Sequence, residues 1–181
     1  KVLINDSVQR EALTPREQKL FLDFVKNDKH FSKYYDGIFI LFKTGLRISE
    51  FCGLTVHDIN FEEHTFSVNN QLQRTREGKY IIVPTKTSAG KRILPMTGEV
   101  EEHFRKIIED REKPRIEPMI DGKSGFLYLD KNGNPSLALH WAHYFKHICQ
   151  KYNGIYKVQM PTVTPHVCRH TYCSNMARSG I

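Results

Sequence analysis

The chain predicts a mainly helical α+β fold in which one three-stranded antiparallel β-meander interrupts a series of amphipathic helices. Two observations carry that prediction. Apolar residues recur at three- and four-residue spacing before residue 55 and again after residue 98. Runs of β-branched and apolar residues bounded by turn residues occur only between, over 65–95. At 181 residues the chain has the length of one ordinary domain with its own core.

Residues 1–13 lack a clear period and read as a linker or arm, leaving 14–181 as the folded domain. The first helix starts at Thr14-Pro15-Arg16-Glu17, where Thr14 caps, Pro15 suits the first helical position and Glu17 completes a capping box. Leu20, Phe21, Phe24 and Val25 form its stripe. A second helix is expected over 34–44; its body, Ile38-Phe39-Ile40-Leu41-Phe42, is apolar all round and therefore buried, and Gly45 stops it. A third begins near Ile48 and carries Glu50, Phe51 and Leu54. The meander follows, with strands over 65–68, 80–83 and 92–95 and turns at Glu77-Gly78-Lys79 and Ser88-Ala89-Gly90. A helix over 99–111 presents Val100, Phe104, Ile107 and Ile108 on one face. Residues 113–125 read as a surface loop, and Phe126-Leu127-Tyr128-Leu129 as a short apolar segment ending in the turn Asp130-Lys131-Asn132-Gly133-Asn134-Pro135. A helix over 136–151 turns Trp141, Phe145 and Ile148 inward, and Thr164-Pro165 opens the last helix. There is no internal repeat.

Lys and Arg number 27 against 20 Asp and Glu, a formal net charge of +7. That is the footprint of a nucleic-acid binder, and equally of a plain basic protein. Cys52, Cys149, Cys168 and Cys173 lie in apolar or helical contexts without metal-type spacing, and read as reduced core thiols of a cytoplasmic protein. No apolar run is long enough to span a membrane and no signal peptide is visible. A chain that starts at Lys1 is expected to be a fragment.

Two stretches place arginine within apolar, helical surroundings: Thr44-Gly45-Leu46-Arg47-Ile48-Ser49-Glu50-Phe51 and Thr164-Pro165-His166-Val167-Cys168-Arg169-His170-Thr171. Charged residues are rarely buried unless paired, so two such arginines point to one anion shared between them. Gly45-Leu46-Arg47-Ile48-Ser49-Glu50 resembles the first-arginine box of the tyrosine recombinases, the phage-integrase family. His166-Val167-Cys168-Arg169-His170 resembles that family's His-x-x-Arg box, and Thr85-Lys86-Thr87-Ser88-Ala89-Gly90-Lys91-Arg92 its lysine hairpin. The wording is most similar to integrases of conjugative transposons, and the resemblance runs from about Thr14 to the last residue.

The resemblance implies the catalytic fold of that family and site-specific DNA recombination, the excision or integration of a mobile element. A tyrosine attacks one strand, forms a 3′-phosphotyrosine and frees a 5′-hydroxyl; a partner strand reverses the attack. The energy stays in the covalent link, so no cofactor and no metal is called for. The implied partners are double-stranded DNA and further copies of the protein, as a tetramer on paired sites; an accessory DNA-bending or excision factor is also admitted. The family's tyrosine and the His or Trp before it lie beyond the His-x-x-Arg box, and Ile181 comes twelve residues after Arg169. The expectation is a catalytic domain that is incomplete at its C-terminus. Tyr172, three residues after Arg169, is expected in the core beside Cys168 and Met176 rather than as the nucleophile.

The chemistry explains the residue types. A phosphodiester in strand transfer accumulates negative charge on its non-bridging oxygens, and fixed cations aimed there are the largest available catalytic term. Arginine matches phosphate oxygens with a planar fork and stays charged. Arg47 and Arg169 are the candidates for that clamp. The plainer readings are an Arg47–Glu50 pair three residues apart, and Arg169 as a surface residue. Glu50 fits as a support that holds Arg47 or His166. Lys86 is the candidate acid for the leaving 5′-oxygen, with Lys91 as competitor and a solvated turn charge as the plain alternative. His166 is the candidate to accept the nucleophile's proton or hold a phosphate oxygen. His166 and His170 share a helix face, but the arginine between them argues against a bound cation. His140, His143 and His147 read as solvated or packed on the core. The alternatives to recombination are a type IB topoisomerase-like enzyme, a basic DNA-binding module without catalysis and a metal-dependent nuclease.

Overall fold

Helix α1 (Pro15–Asn27) starts where its cap requires. Thr14 Oγ1 accepts from the Glu17 N–H at 3.2 Å, and the Glu17 carboxylate accepts from the Thr14 N–H at 2.8 Å. This computed structural model describes residues 12–85 and 90–180. Helix α2 (Tyr35–Thr44) is the centre of the domain, with Ile38 to Phe42 all buried. Helices α1, α4 (Gly98–Asp110) and α6 (Pro165–Arg178) pack around it. Phe21 of α1 stacks on Phe145 of α5 (Ala138–Ile155) at 5.8 Å and meets Phe42 edge-on at 6.1 Å. Gly37 sits where α2 passes Trp141: a Cβ there would lie 2.7 Å from the indole. Its N–H, one of the orphan donors of the first helical turn, donates to the Tyr128 hydroxyl at 3.0 Å.

The fold class is as expected: mainly helical, with small antiparallel sheets. The strand pairing within that class differs from the expected meander. Strand β1 (Ile59–Asn60), β2 (Thr65–Val68) and β5 (Arg92–Pro95) form one sheet in the order β1-β2-β5. Strands β3 (Asn70–Arg74) and β4 (Tyr80–Pro84) form a second. Phe66 therefore faces Leu94, and Ile82 faces Leu72. The turn at Gly78 is where the sequence put it, but it joins β4 to β3 rather than to 65–68. Strand β3 escaped notice because Gln71-Leu72-Gln73-Arg74 offers a single apolar residue to a periodicity test. Gln71 and Leu72 are nonetheless buried.

Helix α5 runs one turn past the expected end, because Tyr152 is still buried and meets Phe24 edge-on at 5.3 Å. The turn after Leu129 is closed by Asp130, whose Oδ1 accepts from the N–H groups of Asn132 and Asn134 at 2.8 and 3.0 Å. At the other end of the domain Leu13 is buried, and its N–H donates to Thr171 Oγ1 of α6 at 3.0 Å. Three cysteines are buried as expected; Cys173 is exposed. It lies five residues after Cys168, about 140° round the helix from that buried position. Burial pushes the Cys168 thiol well above its ordinary range. Among the described residues no helix is long and apolar enough to cross a membrane.

Candidate functional site

The site is built on the loop between α2 and α3 (Ile48–Cys52). Gly45 closes α2 in the left-handed region, φ +63°, and its N–H donates to the Leu41 carbonyl at 3.3 Å. Leu46 is buried and anchors the loop. Arg47 is the residue from which α3 starts. Glu50, at the third helical position, accepts from the Arg47 backbone N–H at 3.0 Å. The Arg47-x-x-Glu50 spacing is thus a helix-start device in which the carboxylate satisfies an orphan donor.

The same carboxylate collects three further bonds. Arg47 Nη1 donates to Oε1 at 3.2 Å, and Arg92 of β5 donates from Nη1 at 3.2 Å and Nη2 at 2.9 Å. Glu50 is 1% exposed, Arg92 26% and Arg47 57%. Burial works against the charged carboxylate, but the bonds from Arg92 and Arg47 outweigh it and hold its pKa below the usual range. The Arg47–Glu50 pair foreseen as the plainer reading is therefore present. Among the described residues it engages one side-chain nitrogen of Arg47, and more than half of the side chain faces outward.

Helix α6 brings in the second arginine. Thr164 Oγ1 caps it, accepting from the Val167 N–H at 3.2 Å, and Pro165 occupies its first position. Pro165, Val167, Cys168 and Thr171 form its buried face. Arg169 is half-buried, and its Nη1 donates to the Gly45 carbonyl. Arg169 thus engages the α2–α3 loop two residues before Arg47, although the two arginines are far apart in sequence. His166 is exposed one turn before Arg169, and its ring meets that of His170 at 4.5 Å, edge to face. Tyr172 is half-buried rather than in the core: its ring covers Gly45, where a Cβ would fall 2.3 Å from Cδ1. His143 and His147 are exposed; His140 Nδ1 accepts from the Leu137 N–H at 3.2 Å and helps to start α5.

Lys86 lies outside the described residues. Its predecessor Thr85 is buried, and Lys91 is exposed. Thr85 and Gly90 approach closely: a Cβ on Gly90 would lie 2.5 Å from Thr85 Cβ. Among the described residues no group of three or more His, Cys, Asp or Glu side chains could hold a metal ion.

Arg92 is the site residue that sequence reasoning missed. The β-branched Ile93 draws the eye, yet it is 69% exposed, whereas Arg92 and Leu94 are half-buried. The signal was available: Arg92, Leu94 and Met96 share one strand face, and two of the three are apolar.

A helical domain with a buried central helix and small antiparallel sheets is the fold of a tyrosine recombinase catalytic domain. The chain belongs to the phage integrase family, whose model matches residues 11–181. It is 41% identical over 181 residues to the transposase from transposon Tn916 of Enterococcus faecalis, covering 99% of this chain and 44% of that protein. It is 25% identical over 171 residues to the tyrosine recombinase XerA of Pyrococcus furiosus, covering 94% of this chain and 49% of that one. Among solved structures it is similar to the Tn1549 transposon integrase in complex with circular intermediate DNA, with a TM-score of 0.90 and 41% identity. That match covers 97% of this chain and 57% of the integrase. The chain spans less than half the length of the curated relatives it matches.

Proposed function

We propose that the protein carrying this chain is a site-specific DNA recombinase that excises or integrates a mobile element by metal-independent cleavage and rejoining through a 3′-phosphotyrosine. The observation that carries the reading is that Arg169 engages the Gly45 carbonyl of the loop that carries Arg47, each guanidinium making one hydrogen bond among the described residues while further donors remain for a phosphate. The relative solved with circular intermediate DNA supports duplex DNA as the substrate. In this reading the two guanidiniums hold the non-bridging oxygens of the scissile phosphate. A tyrosine oxygen attacks phosphorus in line, and the bond to the 5′-oxygen breaks. Lys86 gives that oxygen its proton, and His166 takes up the tyrosine's proton or holds a phosphate oxygen. Glu50 fixes the direction of Arg47.

Tyr172 is not the attacking group. It shares α6 with Arg169, and its ring lies over Gly45, whose carbonyl Arg169 engages. Residues 14–181 are the C-terminally incomplete catalytic domain of a protein working in a cytoplasmic tetramer on two paired duplexes, with room for an accessory DNA-bending or excision factor.

The test uses a pool of nicked duplexes randomised over the cleavage core, so that covalent adducts are trapped and their sequence recovered. Adducts that form in EDTA, followed by exchange between two copies of the recovered site, are expected. Dependence on a divalent metal, or relaxation of supercoiled DNA without two-site exchange, would overturn the reading in favour of a nuclease or a topoisomerase-like enzyme.

A further inference from the structure

We propose that Tyr172 is a positioning residue of the phosphate clamp: its ring, seated on Gly45, fixes the turn that leads to Arg47 against the helix that carries Arg169. The proposal rests on the roles of Arg47 and Arg169 given above. Gly45 ends α2 in the left-handed region, φ +63°, just before Leu46 and Arg47. A Cβ on it would fall 2.3, 3.0 and 3.1 Å from Cδ1, Cε1 and Cγ of Tyr172. The ring therefore fills the space that a side chain at this position would need, and glycine alone allows both that approach and that backbone. The carbonyl of the same residue accepts from Arg169 Nη1. Arg169 and Tyr172 are three residues apart on α6 and so are neighbours on its surface. Helical side chains lean toward the N-terminus of their helix, which directs the Tyr172 ring back over the turn that holds Arg169. Both side chains meet at Gly45.

The two contacts constrain different things. A hydrogen bond from a long side chain can follow a loop that shifts, because the side chain has several rotamers to draw on. A ring packed on a Cα has no such slack, since close-packed contacts resist displacement. Helices α2 and α6 pack directly on each other, so the domain has further ties between them. What the ring adds lies where the chain leaves α2 for Leu46, which is buried, and for Arg47, most of which faces outward. Removing the ring opens a void at that point, and the loop gains room to move relative to Arg169. A phosphate held between two guanidinium forks needs their spacing fixed. The atoms that approach Gly45 are ring carbons, so the hydroxyl is dispensable to this role.

The experiment uses the whole protein that carries this chain and the duplex recovered from the nicked pool. Single-turnover adduct formation is measured at saturating protein for wild type, Tyr172→Phe, Tyr172→Ala, Arg169→Lys and the double variant Tyr172→Ala/Arg169→Lys, with DNA affinity and urea midpoint alongside. A misplacement of about 1 Å can cost about 10²-fold, so Tyr172→Ala is expected to slow adduct formation roughly 10- to 100-fold with affinity nearly unchanged. Tyr172→Phe should match wild type. Because the ring acts through Arg169, removing it should cost far less when Arg169 is already lysine; a merely structural loss would cost the same in both backgrounds. A duplex with sulfur in place of the bridging 5′-oxygen, a leaving group that needs little protonation, should be slowed by Tyr172→Ala as much as the ordinary one, since the clamp and not the acid is displaced. If Tyr172→Ala does not fold, Tyr172→Leu, which keeps apolar volume without the ring, takes its place in every comparison. No slowing by Tyr172→Ala, slowing by Tyr172→Phe, an undiminished cost in the Arg169→Lys background or sparing of the sulfur duplex would each overturn the proposal while leaving the recombinase reading standing. A wild type that forms no adduct anywhere in the pool would overturn both.

Discussion

Replacing Glu50 by glutamine removes one charge from a buried carboxylate that accepts four hydrogen bonds. Breaking a buried ion pair by removing one partner costs about 3–5 kcal/mol, and a bond to a charged group contributes about 1.5–3 kcal/mol. The upper range does not apply in full here. Arg47 is 57% exposed and recovers its lost bond from water, and glutamine keeps one acceptor oxygen. Arg92, 26% exposed, loses its two-pronged partner and faces an amide N–H₂ instead. The expected loss is about 2–4 kcal/mol at pH 7, read by urea unfolding of the chain. Its pH dependence follows from the depressed carboxyl. An unfolded glutamate titrates near 4.3. A group whose folded pKa lies below that value contributes stability fully above it and loses it as pH falls through the folded pKa. The gap between wild type and Glu50→Gln should therefore be flat from about pH 8 to pH 5.5 and should close in more acid solution. A gap below about 0.5 kcal/mol at pH 7, within the range of an ordinary surface substitution, would refute the reasoning. So would one that stays constant through the acid range while both proteins remain folded.

Gly45→Ala should destabilise the chain by about 2–4 kcal/mol, from the left-handed backbone and from the collision with Tyr172, and the urea midpoint would show a neutral change if this is wrong. Lys86→Ala in the whole protein should slow cleavage of a phosphodiester about 10²–10⁴-fold while sparing the sulfur leaving group; equal slowing would make Lys86 a phosphate-binding charge. DNA affinity should fall linearly with salt on logarithmic axes, and a flat titration between low and moderate salt would contradict backbone-dominated binding. Tyr172→Phe should leave adduct formation on a nicked duplex intact, whereas loss of the adduct with retained binding would make Tyr172 the nucleophile.

Helix starts were legible in the sequence because caps act within one turn. Thr14 with Glu17, Thr164 before Pro165, and Gly45 after Thr44 are each complete within four or five residues. The buried course of α2 followed from a run with no polar face. Arg47, Glu50, His166 and Arg169 were legible as motifs, since residue type and spacing within each box are local. The partners of those residues were not. Glu50 meets Arg92 across 42 positions, and Arg169 meets Gly45 across 124. Which strand lies beside 65–68 was likewise a question of distant segments, and both 80–83 and 92–95 satisfied the local rules. Register is settled by which face each strand buries: Leu94 behind Phe66, with Ile93 left to solvent. By itself the sequence determined the helices, the class of fold and the chemical types at the site, because propensity, capping and periodicity depend on near neighbours. Only the tertiary structure decided that Glu50 serves two arginines from different elements and that Tyr172 covers Gly45. Ion pairs and close contacts depend on distance in space, which no local pattern encodes.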